Sequence, residues 1–196
     1  MTAGDKLDAP GAFEEHFLAA YLVAIERCEE VRLQVPHQRS RHVDAAAVGY
    51  SPARRTWVGC DVLDWLDLSW PKEMNPAKVQ PKLRERVELF QSYVSLAETL
   101  SRRKTVPKLR YVFAGFERLS PRVITALPGL SGGVTIEGSI PPMAGTVNID
   151  VETLCGEHLQ EVARKLATFS LTHDAPGENH FVRTTRLLAE AGWGPG

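Results

Sequence analysis

Two neighbouring apolar segments, residues 42–50 and 56–63, constrain the fold of this chain more than any other feature. They read HVDAAAVGY and TWVGCDVL, and a short turn separates them. Segments of this composition, bounded by turn residues, predict two adjacent β-strands. Each segment also carries one aspartate, Asp44 and Asp61. A buried carboxylate costs several kcal/mol unless it is paired, hydrogen-bonded or bound to a metal, so both residues require an explanation.

The rest of the chain predicts helices and strands around this pair of strands. Helical spacing of apolar residues predicts helices over residues 12–30 and from about 82 to 101, with Pro81 at the start of the second. Residues 64–76 form a predicted long loop, and residues 147–154 fit either a strand or the beginning of a helix. Further strands are predicted over 30–37, 108–116 and 132–140, and further helices over 120–130, 156–170 and 179–192. This order predicts an α/β protein with a mixed central sheet and helices on both faces.

Length and composition indicate a single soluble domain over residues 1–196. Hydrophobic residues make up 43% of the chain and charged residues 24%, as in ordinary globular proteins. The net charge of -1 means that any attraction to nucleic acid must come from a local patch. The apolar segment 17–25 is too short to span a bilayer. The three cysteines have no metal-binding spacing and favour a reducing compartment, so we expect a cytoplasmic protein without a membrane partner.

The aspartate-bearing strands and the order of elements around them resemble the PD-(D/E)XK nuclease-like superfamily, which has the restriction-endonuclease-like fold. In that family a first helix carries a Glu, the second strand carries an Asp, and the third strand carries Glu-x-Lys on one face. The resemblance implies a nuclease-like core over about residues 12–140. It leaves about residues 141–196 as a helical C-terminal extension.

The family positions are matched residue by residue. Asp44 in HVDAAAV matches the family Asp, and Glu14 on the first predicted helix matches the family Glu better than Glu15 does. In WVGCDV, Gly59 stands at the position of the family's second carboxylate, and Asp61 stands at the position of the family lysine.

The resemblance implies a magnesium site and Mg²⁺-dependent hydrolysis of phosphodiester bonds in nucleic acid. Carboxylates that converge on Mg²⁺ allow the ion to polarise the phosphate and activate a water. The implied ligands are Glu14, Asp44 and Asp61, and the missing lysine is supplied by Lys78 or Lys82. Asp44 and Asp61 are then the catalytic carboxylates.

The substituted third strand also supports an alternative, which is a catalytically inactive binding or assembly module on the same fold. In that case Asp44 and Asp61 are carboxylates at strand ends, in water or bonded to Arg54, Arg55 or His42. A glutamate in the first helical turn is favourable without any metal, because it faces the positive end of the helix dipole.

Basic residues near the long predicted helix are candidates for contact with nucleic acid. Together with the tryptophans of the 64–76 loop, they would form a phosphate-contacting rim with stacking aromatics. Glutamates are interleaved with them, so a solvated helix face, or a protein partner, is the alternative. The candidate residues are Lys72, Lys78, Lys82, Arg84, Arg102 and Arg103.

Overall fold

The computed structural model describes residues 12–36, 43–63, 76–101, 106–116, 132–138 and 143–172. These residues form three helices and six strands. They are α1 (Ala12–Ala24), β1 (Glu30–Pro36), β2 (Val43–Ser51), β3 (Thr56–Val62), α2 (Pro76–Ser101), β4 (Lys108–Gly115), β5 (Val134–Gly138), β6 (Gly145–Cys155) and α3 (Gly156–Thr172). The helices predicted over 120–130 and 179–192, and nearly all of the 64–76 loop, fall on residues outside these ranges.

The six described strands form one mixed sheet in the order β1-β2-β3-β4-β6-β5. β1, β2 and β3 are an antiparallel meander, β4 is parallel to β3, β6 is parallel to β4, and β5 is antiparallel to β6. The α/β class with a mixed central sheet is therefore confirmed. β6 belongs to the segment predicted as a helical extension, yet it lies inside the sheet between β4 and β5.

Two helix boundaries lie several residues from the prediction. α1 ends at Ala24, and Arg27, with a left-handed φ of 56°, follows it before β1 begins. α2 begins at Pro76 instead of about residue 82, because proline is well tolerated at the first helical position. Pro81 consequently lies inside the helix, where it removes one backbone hydrogen bond. Of the two alternatives predicted for residues 147–154, the structure has the strand, as part of β6.

Apolar side chains fill both faces of the sheet, in two separate clusters. α2 covers one face, and its buried residues pack against β3, β4, β5 and β6. α1 and α3 cover the other face, so the predicted helices on both faces are confirmed. Among the described residues, no helix has both the length and the apolar character needed to cross a membrane. The inner residues of α2 are Val79, Leu83, Val87, Phe90 and Val94.

Gly59 allows two aromatic rings to pack directly on β3. A Cβ atom at this position would lie 2.8 Å from ring atoms of both Phe90 and Tyr111, and both rings are buried. The side-chain volume beside Gly59 is therefore already filled by α2 and β4.

We expect Gly59→Ala to lower the free energy of unfolding by about 1–3 kcal/mol, because the two rings must shift from their packed positions. Urea denaturation of the purified chain measures this. In a double-mutant cycle, Phe90→Leu should relieve part of the cost, since the two sites are in contact. Equal stability of wild type and Gly59→Ala would show that the rings move freely.

Candidate functional site

Asp61 lies on β3, on the face of the sheet that α2 covers. Its neighbours across the parallel strands are Phe113 of β4 and then Thr153 of β6, so it lies toward the carboxyl ends of the three parallel strands. Binding sites of open α/β sheets are usually found at this end. The position itself is therefore suited to a functional residue.

Three donors surround the carboxylate of Asp61. The hydroxyl of Tyr111 donates to Oδ2 at 3.3 Å, and the backbone N–H of Val62 donates to Oδ1 at 3.1 Å. Nε of Arg86, on α2, lies 3.9 Å from Oδ2. Only 12% of the Asp61 side chain is exposed. The carboxylate is thus part of a buried ion pair with a residue of α2, instead of contacting the arginines of the β2–β3 turn.

Burial raises the pKa of Asp61 from 3.8 to about 7, while Arg86, the Val62 amide and the Tyr111 hydroxyl act in the opposite direction. Burial and the adjacent Asp61 raise the pKa of Tyr111 well above its usual value. Tyr111 therefore stays a hydrogen-bond donor at neutral pH, and Asp61 titrates closer to neutral pH than an exposed aspartate does.

The other predicted metal ligands lie apart from Asp61 or outside the described side chains. Glu14 lies on α1, which covers the opposite face of the sheet, and its Oε2 is buried and accepts no hydrogen bond among the described residues. Lys82 is exposed, with Nζ 3.8 Å from Oε2 of Glu85. The side chains of Asp44 and Lys78 are not among those described, so the metal set as a whole stays a prediction.

The backbone around Asp44 is irregular. Ala45 pairs with Val35 and Val43 pairs with Pro36, so the β1–β2 register shifts at Asp44. The pairing of β2 with β3 runs from Ser51 only as far as Ala47. Asp44 therefore lies at a bulge, beyond the part of β2 that pairs with β3.

The basic residues of α2 that the structure describes all contact oxygen acceptors. Lys82 pairs with Glu85 and Arg86 pairs with Asp61. Arg84 pairs with Glu88 at 3.1 Å and donates to the backbone carbonyl of Thr135 at 2.6 Å. The remaining candidates for nucleic-acid contact lie outside the described residues or their described side chains: Lys72, Lys78, Arg102 and Arg103.

A second group of charged residues, which the sequence analysis missed, lies on the opposite face of the sheet. Glu26, just after α1, has a side chain that is 3% exposed. It accepts hydrogen bonds from Tyr21 at 2.6 Å, from Arg54 at 2.8 Å and from Arg110 at 2.8 Å. Arg110 also bonds to Glu152. In the sequence, Glu26 has the pattern of an ordinary exposed helix residue. The only feature of the sequence that indicated a buried charge is Arg110, inside the otherwise apolar strand KLRYVFAGF.

This network ties α1 to the turn between β2 and β3 and to strands β4 and β6. Burial, with Glu26 beside it, raises the pKa of Tyr21, so Tyr21 also stays a donor. A carboxylate at a helix C-terminus is repelled by the negative end of the helix dipole. Arg54 and Arg110 offset this unfavourable interaction at Glu26. The attachment of α1 to the sheet is therefore a sufficient explanation for this network of charged residues.

A cleft of about 580 Å³ lies across the beginnings of β4, β5 and β6. Val106, Leu109, Val134 and Asn148 are among the residues that line it. It is at the amino end of β4, so it does not include Asp61. Within the described part of the chain, no three His, Cys, Asp or Glu side chains are grouped closely enough to hold a metal ion.

Comparison of the chain with protein-family models, with curated proteins and with solved structures finds no significant match. The function of this chain is therefore inferred from its own geometry and from the resemblance of its short motifs.

We expect Asp61→Asn to remove a pH-dependent loss of stability. An acid whose pKa is raised by folding destabilises the fold as pH rises from the unfolded pKa through the folded one. For Asp61 this window runs from 3.8 to about 7, at about 1.4 kcal/mol per pKa unit. Relative to wild type, the variant should therefore gain a few kcal/mol between about pH 4 and about pH 8.

Urea denaturation at several pH values measures this difference. Asp150→Asn is the control for the removal of an exposed carboxylate, because the Asp150 side chain is 64% exposed and lies 3.6 Å from Nε of Arg110. Parallel profiles for wild type and Asp61→Asn would contradict the raised pKa.

We expect Glu26→Ala to lower the free energy of unfolding by roughly 3 kcal/mol, because it leaves buried donors without their acceptor. Glu29→Ala, at an exposed position near the same helix end, should change stability by less than about 0.5 kcal/mol. Thermal or urea unfolding distinguishes the two variants. Similar small effects in both would mean that the network around Glu26 is dispensable for stability.

Proposed function

We propose that this chain is a catalytically inactive module on a restriction-endonuclease-like fold and that it binds a partner protein. The observation that carries the proposal is the contact of Asp61 with Arg86 and Tyr111. The carboxylate of Asp61, which the resemblance implies is catalytic, is instead paired with side chains of the protein's own core.

The order of the described elements supports the restriction-endonuclease-like core. α1, the antiparallel meander β1–β2–β3, α2 and the parallel strand β4 follow one another along the chain. This is the order that the resemblance implies, with a crossover helix between two parallel strands. The sheet then continues through β6 and β5.

The packing around Gly59 argues against a nuclease site. Gly59 stands where the family carries its second carboxylate, and a Cβ there would already meet Phe90 and Tyr111 at 2.8 Å. The space for that carboxylate is filled by the core. A divalent cation at Asp61 would also have to displace the guanidinium of Arg86, because like charges repel at short range.

Charge pairing and surface composition favour a protein over a nucleic acid as the partner. Lys82 and Arg84 each pair with a glutamate on α2, which reduces the positive potential that would attract phosphates. Leu100 and Val106 are 76% and 63% exposed. Exposed apolar side chains are typical of protein-binding surfaces where they form a contiguous patch, and the proposal places both residues in such a patch.

One observation favours Mg²⁺-dependent phosphodiester hydrolysis as the second candidate. Glu14 Oε2 is buried and accepts no hydrogen bond from any described residue, and a buried carboxylate oxygen usually has a partner. In that case the predicted set of Glu14, Asp44 and Asp61 would have to converge although Glu14 and Asp61 lie on opposite faces of the sheet, and Arg86 would have to leave Asp61.

A titration with Mn²⁺ in a calorimeter distinguishes the two candidates. For an inactive module we expect the same heats from wild type, Asp61→Asn and the surface control Asp150→Asn, because Asp61 contributes no metal ligand. Incubation with single- and double-stranded DNA and RNA in the presence of Mg²⁺ should give no cleavage. Metal binding or cleavage that is lost in Asp61→Asn alone would overturn the proposal in favour of the nuclease.

A further inference from the structure

β1 is an edge strand of the sheet, and its outer side has no neighbour among the described strands. An edge strand presents unpaired backbone N–H and C=O groups, to which another extended segment can bind. At the opposite edge, Arg84 of α2 already donates to the backbone carbonyl of Thr135 in β5. β1 is also the longer of the two edges, with seven residues against five in β5. Of the two edges, β1 therefore offers more backbone groups to a further strand.

The side chains of β1 alternate between the two faces of the sheet. Val31 packs against the apolar cluster that α1 and α3 cover. Leu33, two residues further on, lies on the same face and is 36% exposed. Glu30 and Arg32 lie on the opposite face, where both are exposed and neither forms an ion pair with a described residue. The edge thus has one apolar side and one side that carries two opposite charges.

We propose that β1 pairs antiparallel with β1 of a second copy of the chain, about a two-fold axis through Val31. This arrangement places residue 30 of each copy opposite residue 32 of the other, so that Glu30 faces Arg32 twice. On the other face, Val31 lies opposite its own copy, and Leu33 lies diagonal to Val31 of the other copy. Opposite charges and apolar side chains in such cross-strand positions attract each other. A two-fold contact requires a self-complementary surface, and this edge has that property.

The charges select this register among the two-fold pairings of β1. An axis through Arg32 would place the two Arg32 side chains directly opposite each other, where like charges repel. An axis through Leu33 would place both charged residues of β1 opposite uncharged ones. It would also extend the pairing over the register shift at the end of β1. The axis through Val31 gives two pairs of opposite charge and keeps the paired residues, 29–33, clear of that irregularity.

The short length of the paired segment indicates a weak dimer. Five paired residues extend over roughly 17 Å of strand, so the exchange between monomer and dimer should depend on concentration. The inference goes beyond the proposed function, because it concerns the edge of the sheet and not the surface at Leu100 and Val106. A concentration series is therefore the appropriate measurement.

Sedimentation equilibrium of the full chain over a concentration series tests the inference. The mass of wild type should rise from 21.7 kDa toward twice that value. Glu30→Arg and Arg32→Glu should each remain at the monomer mass, because each substitution sets like charges opposite each other. The matched control is Arg164→Glu, at an exposed position on α3, and it should associate like wild type. Circular dichroism confirms that each variant is folded, which is expected because the replaced side chains are exposed.

Exchange of the two charges tests the register. The double variant with Glu30→Arg and Arg32→Glu should recover the dimer, since each pair of opposite charges is restored with its signs exchanged. An equimolar mixture of the two single variants should also associate, because one copy then carries two arginines at these positions and the other carries two glutamates. Neither recovery is expected if the single substitutions act by weakening the fold.

Amide hydrogen exchange tests the location of the contact. In wild type, the amides of residues 30–33 should exchange more slowly as the protein concentration rises, because pairing protects them. The amides of β5, at the opposite edge of the sheet, serve as the internal control and should exchange at an unchanged rate.

Four results would overturn the inference: a wild type that stays monomeric at every concentration, single charge variants that associate like wild type, a double variant or mixture that stays monomeric, or protection of β5 instead of β1. The first result would leave an extended segment of a different protein as the occupant to test. None of these results bears on Mn²⁺ binding or nuclease activity, so failure of the dimer and failure of the proposed function are distinguishable.

Discussion

The attachment of α2 to β3 at both ends is the constraint on which the rest of this structure depends. Near the start of β3, Nε1 of Trp57 donates to Glu98 at 2.6 Å, and both residues are buried. Near the end of β3, Asp61 faces Arg86. These contacts fix the direction of α2 antiparallel to β3 and hold it over the parallel pair that it connects. Directional polar contacts can specify one arrangement where apolar packing alone tolerates several.

This attachment also determines what the candidate site can do. With α2 held in place, Phe90 and Tyr111 occupy the space beside Gly59, and Arg86 reaches the carboxylate of Asp61. A buried carboxylate is tolerated only with such partners. The same residues that stabilise the sheet–helix interface therefore argue against a metal at this position.

On both faces of the sheet, a buried carboxylate is stabilised by arginine and tyrosine side chains. On one face Asp61 is balanced by Arg86 and Tyr111, and on the other Glu26 is balanced by Arg54, Arg110 and Tyr21. In both cases a tyrosine hydroxyl donates to the carboxylate, and burial raises the pKa of that tyrosine. Paired in this way, each carboxylate links a helical segment to the sheet.

The sequence by itself determined the class of fold, the β2–β3 strands and the helices on both faces of the sheet, because hydrophobic periodicity and turn residues act locally along the chain. It also pointed to Asp61 as a residue that needs a partner. It did not identify Arg86 as that partner, the network at Glu26 or the strand β6 inside the sheet. These three features depend on which residues the fold brings together from elements that are distant in sequence. Gly59 illustrates the reason. In sequence, a glycine in a strand is compatible with a bulge, a bend or a close approach of another group, and only the tertiary packing of Phe90 and Tyr111 shows that it allows a close approach.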